Sequence, residues 1–154
     1  MQGRCLCGGV RYEARFRPDA VYYCHCSQCR RATGSSFATN VAIARRELKI
    51  TAGEDLIRSY TSTPGKHRNF CSNCGSPLYS EYLDDPDTLY LRVGTLDDDG
   101  ELSACAHIWA ESKASWYEIR DRLPRHPGDV DVKGFPDSPV LDPDQDPSSQ
   151  SHRK

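Results

Sequence analysis

Seven of the eight cysteines in this chain fall into three tight clusters. They are C-L-C at Cys5 and Cys7, C-H-C-S-Q-C at Cys24, Cys26 and Cys29, and C-S-N-C at Cys71 and Cys74, while Cys105 stands alone. A disulfide scaffold spreads its cysteines and normally accompanies secretion. Cysteines one residue apart also bridge poorly, because a disulfide needs a defined Cα and Cβ separation. The opening M-Q-G-R-C contains no apolar h-region, so the sequence predicts no signal peptide and a reducing, cytoplasmic setting. Clustered thiols in that setting read as zinc ligands. Composition points the same way. Only 37% of the 154 residues are hydrophobic, against about 45–50% for globular chains on a count that includes glycine. A core that lean gains from a metal.

The length predicts one domain, or one domain with a tail. With 20 basic and 22 acidic residues the formal charge is -2, which argues against a nucleic-acid binder. No apolar run reaches the roughly 18 residues of a membrane span. Short alternating segments dominate the chain. Val10, Tyr12, Ala14 and Phe16 alternate with charged residues, predicting a half-buried strand that leaves a glycine-hinged cysteine turn. Further β-prone runs cover 20–23, 40–44, 48–51, 56–61, 67–70, 77–83 and 88–93, with turn signals at 45–47, 63–66 and 97–100. No long stripe of period 3.6 is present. The predicted fold is mostly β, with a helical turn after Cys29.

Composition shifts at Pro127. Residues 127–154 hold five of the ten prolines and six aspartates, and few large apolar side chains. Such a segment cannot bury enough surface to offset chain entropy, so the sequence predicts a disordered tail over 127–154 and a folded domain over 1–126. Without the tail, 16 acidic and 17 basic residues remain, close to neutrality.

Tetrahedral zinc takes four ligands at a structural site and three plus an open position at a catalytic one. Seven clustered cysteines divide naturally as four plus three. Cys71-Ser72-Asn73-Cys74-Gly75 reads as a zinc knuckle, and Cys5-Leu6-Cys7-Gly8-Gly9 is its economical partner. Cys24, Cys26 and Cys29 are then left as three thiolates on one loop. Spacing alone leaves open that Cys5 and Cys7 pair instead with part of the middle cluster.

The runs G-R-C-L-C-G-G-V-R-Y, C-H-C-S-Q-C-R-R-A-T-G-S-S-F and F-C-S-N-C-G-S-P-L, with H-I-W-A-E-S-K-A-S-W at 107–116, carry a resemblance. Over residues 3 to 126 the chain resembles the glutathione-dependent formaldehyde-activating enzyme family, which also contains centromere-protein-V-like proteins. The resemblance implies a β-tent fold of several small coiled sheets around zinc. It implies two zinc ions: one structural, on Cys5, Cys7, Cys71 and Cys74, and a more labile catalytic one on Cys24, Cys26 and Cys29. It implies a carbon–sulfur lyase activity, the condensation of formaldehyde with glutathione to S-hydroxymethylglutathione. The fold also serves non-catalytic protein-interaction modules, which is the rival expectation.

The chemistry is physically sound. A thiol adds to a carbonyl as its thiolate, and a free thiol is mostly protonated at neutral pH. Zinc with an open position lowers that barrier. Three thiolates on a dication already leave a charge of about -1, so a fourth needs positive charge nearby. Arg30 and Arg31 follow Cys29 directly and are the expected contacts for a carboxylate-bearing thiol, with Ser35 and Ser36 as further candidates. His25 is read as a neighbour of the ligands rather than one of them, since its ring points away from Cys24 and Cys26 in an extended strand. His107 is read as a satisfied core histidine beside Ile108, Trp109 and Trp116, Cys105 as a small buried residue, and Lys113 as solvated.

Overall fold

The computed structural model describes residues 1–98 and 100–135. Strands β1 (Gln2–Arg4), β2 (Arg11–Ala14), β3 (Val21–Cys24) and β4 (Ala38–Ala44) are interrupted by one helix, α1 (Ser27–Thr33). Strands β5 (Leu48–Ala52), β6 (Ile57–Thr63), β7 (Lys66–Cys71), β8 (Pro77–Tyr82), β9 (Asp85–Arg92) and β10 (Ala104–Ile108) follow. A three-stranded sheet has the order β1-β2-β5, and a seven-stranded sheet has the order β10-β3-β4-β9-β8-β7-β6. Both are open. All pairings are antiparallel except β10 with β3. The mostly-β architecture follows the sequence pattern closely.

The alternation works as expected. In β2, Tyr12 and Ala14 are buried while Arg11 and Glu13 are exposed. In β4 and β9, Val41 faces Leu91 and Ile43 faces Leu89, and all four are buried. The charged stretch Arg45–Glu47 is a single 3-10 turn that carries the chain from the larger sheet to the smaller. Strands β1 and β10 were not legible. Q-G-R is too short and polar for a pattern. In β10, Ala106, His107 and Ile108 are consecutive buried residues, so no alternation is visible.

Two cores result. One gathers Val10, Tyr12, Val41, Leu78, Leu89 and Leu91 and includes Cys5 and Cys71. The other gathers Tyr22, Ala106, Ile108, Val132 and Phe135 and includes Cys24 and Cys29. Each core therefore holds one cysteine cluster.

Val132 and Phe135 correct the sequence boundary at residue 126. Both are buried, and the ring of Phe135 sits edge-on to Tyr22 at 6.0 Å. Lys133 Nζ lies 2.7 Å from Asp85. Sparse apolar residues in a polar segment thus suffice once a partly built core offers them a seat. Residues 136–154, the remainder of the expected tail, lie outside the described residues. A second correction concerns the tryptophans. Trp116 is 73% exposed, and Trp109 leaves the strand with φ 56, a left-handed conformation that turns it away from the core. Among the described residues no helix is long and apolar enough to cross a membrane.

Candidate metal centres

The four-cysteine group is built by two turns of similar design. After β1, the Gly8 N–H donates to the Cys5 carbonyl at 2.9 Å, and the Val10 N–H donates to Cys5 Sγ at 3.2 Å. Between β7 and β8, the Gly75 N–H donates to the Cys71 carbonyl at 2.8 Å. Gly8 and Gly75, each directly after a cysteine, have φ near +73 and +74, which an L side chain rarely adopts. The Leu6 N–H donates to Ser76 Oγ at 2.9 Å and joins the turns. Sulfur separations are 3.4 Å for Cys5–Cys7 and 3.9 Å for Cys7–Cys71, and all four sulfurs lie within 4.8 Å of one another. A zinc–sulfur bond of about 2.3 Å gives a tetrahedron with edges of about 3.8 Å. The group fits a tetrahedral metal and is far too open for disulfides; all eight cysteines are free.

Its environment favours thiolates on the outer side. The hydroxyl and N–H of Ser76 bring Cys74 down to about 5. The Asn73 side chain, with the Gly9 backbone, lowers Cys7. Burial pushes Cys71 up to about 11.

The three-cysteine group sits where β3 gives way to α1. Cys26 is the residue before the helix, and its sulfur accepts from the Cys29 N–H at 3.3 Å. Gly34 ends the helix in a left-handed conformation, its N–H on the Arg30 carbonyl at 2.8 Å. The sulfurs of Cys24, Cys26 and Cys29 lie within 4.8 Å of one another. Hydrogen bonds from the Cys24 and Cys26 thiols, with the nearby charges of Arg92 and Arg68, hold the Cys29 thiol well below its ordinary range. The same crowding pushes Cys24 well up.

His25 and His107 are both fully buried. His25 Nε2 lies 2.8 Å from His107 Nδ1, and His107 Nε2 lies 3.0 Å from both Asp121 carboxylate oxygens. An ionised Asp121 only accepts, so His107 Nε2 donates to it, and a neutral His107 then accepts at Nδ1 from His25 Nε2. The backbone of His25 is held as well: its N–H donates to the Ile108 carbonyl, and its carbonyl accepts from Arg30 Nε. His107 is thus a satisfied core histidine, and His25 is no member of either cysteine group. Asp121 was invisible in the sequence.

A cavity of about 790 Å³ opens on Cys24, Cys26 and Cys29, and Lys66, Arg68 and Arg92 line it too. The four polar residues expected there are placed elsewhere. Arg30 is occupied by the carbonyls of His25 and Ser112. Arg31 lines a neighbouring cavity of about 730 Å³, and Ser35 lines a third. Ser36 lines none of the cavities described here. The sequence carried one usable signal for the cations present: Arg92 is a lone charge ending the apolar run T-L-Y-L-R, and it is buried against Asn40. Arg68 carried none.

Comparison with known proteins supports this picture. Residues 1–112 match the family described as glutathione-dependent formaldehyde-activating enzyme. A Halomonas elongata protein named "putative glutathione-dependent formaldehyde-activating enzyme" is 29% identical over 151 residues, covering 92% of each chain. A Schizosaccharomyces pombe protein described as an uncharacterized lyase is 22% identical over 121 residues, covering 79% of this chain and 86% of that one. A crystal structure of a Rhodobacter sphaeroides protein superposes with TM-score 0.55 at 25% identity, over 68% of this chain and 99% of that one. With the cysteine partition, the sheets and a match over most of the chain in agreement, the protein belongs to the glutathione-dependent formaldehyde-activating enzyme family.

Proposed function

We propose that this protein is a zinc-dependent carbon–sulfur lyase-type enzyme that acts on a small thiol, condensing formaldehyde with glutathione to S-hydroxymethylglutathione. One observation carries the reading. Three cysteine sulfurs converge on a cavity, and among the described residues no fourth cysteine, histidine or carboxylate joins their group. Three ligands and an open position are the donor set of a catalytic zinc, and four cysteines that of a structural one. Cys24, Cys26 and Cys29 would hold the catalytic ion, and Cys5, Cys7, Cys71 and Cys74 the structural ion. Bound zinc supplies Lewis acidity that favours the thiolate form of an incoming thiol.

The protein's own groups do the rest. In the reaction a sulfur lone pair forms the bond to the carbonyl carbon, and the oxygen takes up the proton that the thiol released. Arg92 and Arg68, whose charges act on Cys29, line the cavity and would offset a further thiolate. The clamp on His25 fixes the peptide units between Cys24 and Cys26, so the two sulfurs keep their angle. Ligands of this kind need reduced thiols, which agrees with a cytoplasmic protein. An ion held on this short loop beside a cavity would be the more labile of the two.

Carbon-13 exchange spectroscopy on formaldehyde and glutathione tests the reading. The metal-loaded protein is expected to speed exchange between free formaldehyde and the adduct, and Cys26→Ser to abolish the gain. No acceleration by the fully loaded protein would overturn the enzyme reading in favour of a non-catalytic binding module.

A further inference from the structure

A sheet strand without a neighbour presents a row of backbone donors and acceptors. The two sheets have four such edges, and the chain treats them differently. Along β10, the His107 N–H donates to the Pro124 carbonyl and the His126 N–H to the His107 carbonyl, both at 2.8 Å, so residues 124–126 cover that edge. Along β1, Gly3 bridges to Leu96, and the Asp97 N–H donates to the Gln2 carbonyl at 3.0 Å. Strand β5 carries Lys49 and a register break opposite Arg11 and Tyr12, two features that keep further strands from adding. Strand β6 is unguarded over most of its length. Among the described residues nothing pairs with its outer side, and Ile57–Thr63 contains neither lysine nor proline. Its own register break falls at the far end, between Thr61 and Thr63. Arg58, Ser59, Tyr60 and Thr61 are all exposed, with Tyr60 64% exposed.

The open backbone groups follow from the pairing. The Ser72 N–H donates to the Leu56 carbonyl at 2.8 Å, so Leu56 faces β7. Direction alternates along an antiparallel strand, which turns Ile57, Ser59 and Thr61 outward. The Ile57 N–H is taken by the Glu54 carbonyl, leaving its carbonyl and both groups of Ser59 and Thr61. Arg58 agrees with this phase. Its Nη1 donates to the Asp55 carbonyl at 2.7 Å and the Ile57 carbonyl at 3.0 Å, both on the outer side. The one charge on the strand is folded back over carbonyls that no strand serves.

We infer that the β6 edge binds a second copy of this chain, strand to strand and antiparallel, about a two-fold axis at the middle of the strand. Centred on Ser59, the pairing stays within the regular run 57–61. Ser59 then exchanges two hydrogen bonds with its own copy, and each Ile57 carbonyl accepts from the other copy's Thr61 N–H. Arg58 is set against the other copy's Tyr60, twice, in the closely spaced type of pair. A guanidinium against an exposed phenol ring is attractive. A pairing centred on Arg58 would oppose like charges, and one centred on Tyr60 would draw in the irregular end at Thr63. The strand is complementary to itself, so a single contact removes both open edges and joins the two larger sheets. With about four backbone hydrogen bonds and little apolar area, the contact belongs to the weak class.

Sedimentation of the metal-loaded full chain over roughly 5 µM to 500 µM tests the contact, with a dissociation constant expected on the order of 10–100 µM. Ser59→Pro removes an N–H that faces away from β7, which an edge strand tolerates. It is expected to abolish the dimer with metal content and far-UV circular dichroism unchanged. Tyr60→Lys sets like charges together twice and is expected to weaken the dimer about tenfold or more. It reads the same contact if Ser59→Pro fails to fold. Amide hydrogen exchange locates the contact. The Ser59 and Thr61 N–H groups are expected to gain protection at high concentration and lose it on dilution, while those of Arg58 and Tyr60, which face β7, stay protected throughout. A monomer across the whole range would overturn the proposal. So would a dimer that both variants leave intact, or one in which Ser59 and Thr61 exchange freely.

Discussion

The four-cysteine group joins sulfurs 64 positions apart in sequence, whereas the three-cysteine group lies within six consecutive residues. The first ties the small sheet to the β7–β8 hairpin. Removing it would open a long loop between the small sheet and that hairpin. The second closes almost no loop, and its place is set from outside, by β10, by Asp121 and by the segment through Phe135. One cluster holds the fold together, and the fold holds the other. Alteration of the second group is therefore expected to leave the protein folded, as the ligand exchange of the proposed function requires.

The largest effect should separate the two groups outright. Cys71→Ser would remove a ligand of the proposed structural metal, whose binding energy, on the order of 10 kcal/mol, would be folding energy. That variant is expected to unfold or aggregate, while Cys26→Ser stays folded and loses only one equivalent of metal. Equal melting temperatures for the pair would break the comparison.

Next in size is the C-terminal segment. A chain ending at Pro127 lacks the buried Val132 and Phe135 and the Lys133–Asp85 ion pair. Burial of a valine and a phenylalanine is worth about 4 kcal/mol together. The shortened chain should lose roughly that in urea denaturation and lose metal first from the three-cysteine group. Unchanged stability would mean that the second core does not depend on this segment.

A smaller loss is expected for Asp121→Ala. It leaves a fully buried His107 N–H without its acceptor, at a cost of about 1–3 kcal/mol. Metal on the four-cysteine group should not change, as stoichiometry after dialysis will show. Loss of metal there would show that the two centres are not independent.

The smallest effect concerns alkaline pH. Burial pushes Tyr12 up to about 12, against the opposing hydrogen bond with Thr95, from an ordinary value of 10. A raised value in the folded state means that its contribution is fully present below pH 10 and is lost as pH rises from 10 to 12. Tyr12→Phe gives up one hydrogen bond, about 1 kcal/mol at neutral pH. The gap between the two proteins should therefore narrow in melts taken from pH 9 to pH 12. A constant gap would remove Tyr12 from the alkaline transition of the first core.

Much of this was legible in the residues themselves. The cysteine partition could be read because each four-cysteine ligand pair is followed by glycine, and the left-handed Gly8 and Gly75 show why. The strands were readable where one face is buried, as in β2 and β4. The cations were not. Arg68 and Arg92 line the same cavity because β7 and β9 flank β8, and strand order is not written in local pattern. Arg30 and Arg31 looked better placed because they follow Cys29, but a helical turn sends Arg30 toward Ser112 and Arg31 toward the other cavity. At the C-terminus, proline and aspartate hid three apolar residues in D-V-D-V-K-G-F whose seat is built by other parts of the chain.

The parallel pairing of β10 with β3 has a consequence for biosynthesis. His25 meets His107 across 82 positions. By the time Cys74 has left the ribosome, every sulfur of the first group is available to assemble. The cover over Cys24, Cys26 and Cys29 is still being translated, and Phe135 comes last. The three thiols that the proposed reaction uses are therefore also the three left longest uncovered in the nascent chain, and the interval in which oxidation can divert them extends through the synthesis of residues 75–135, after the first group is complete.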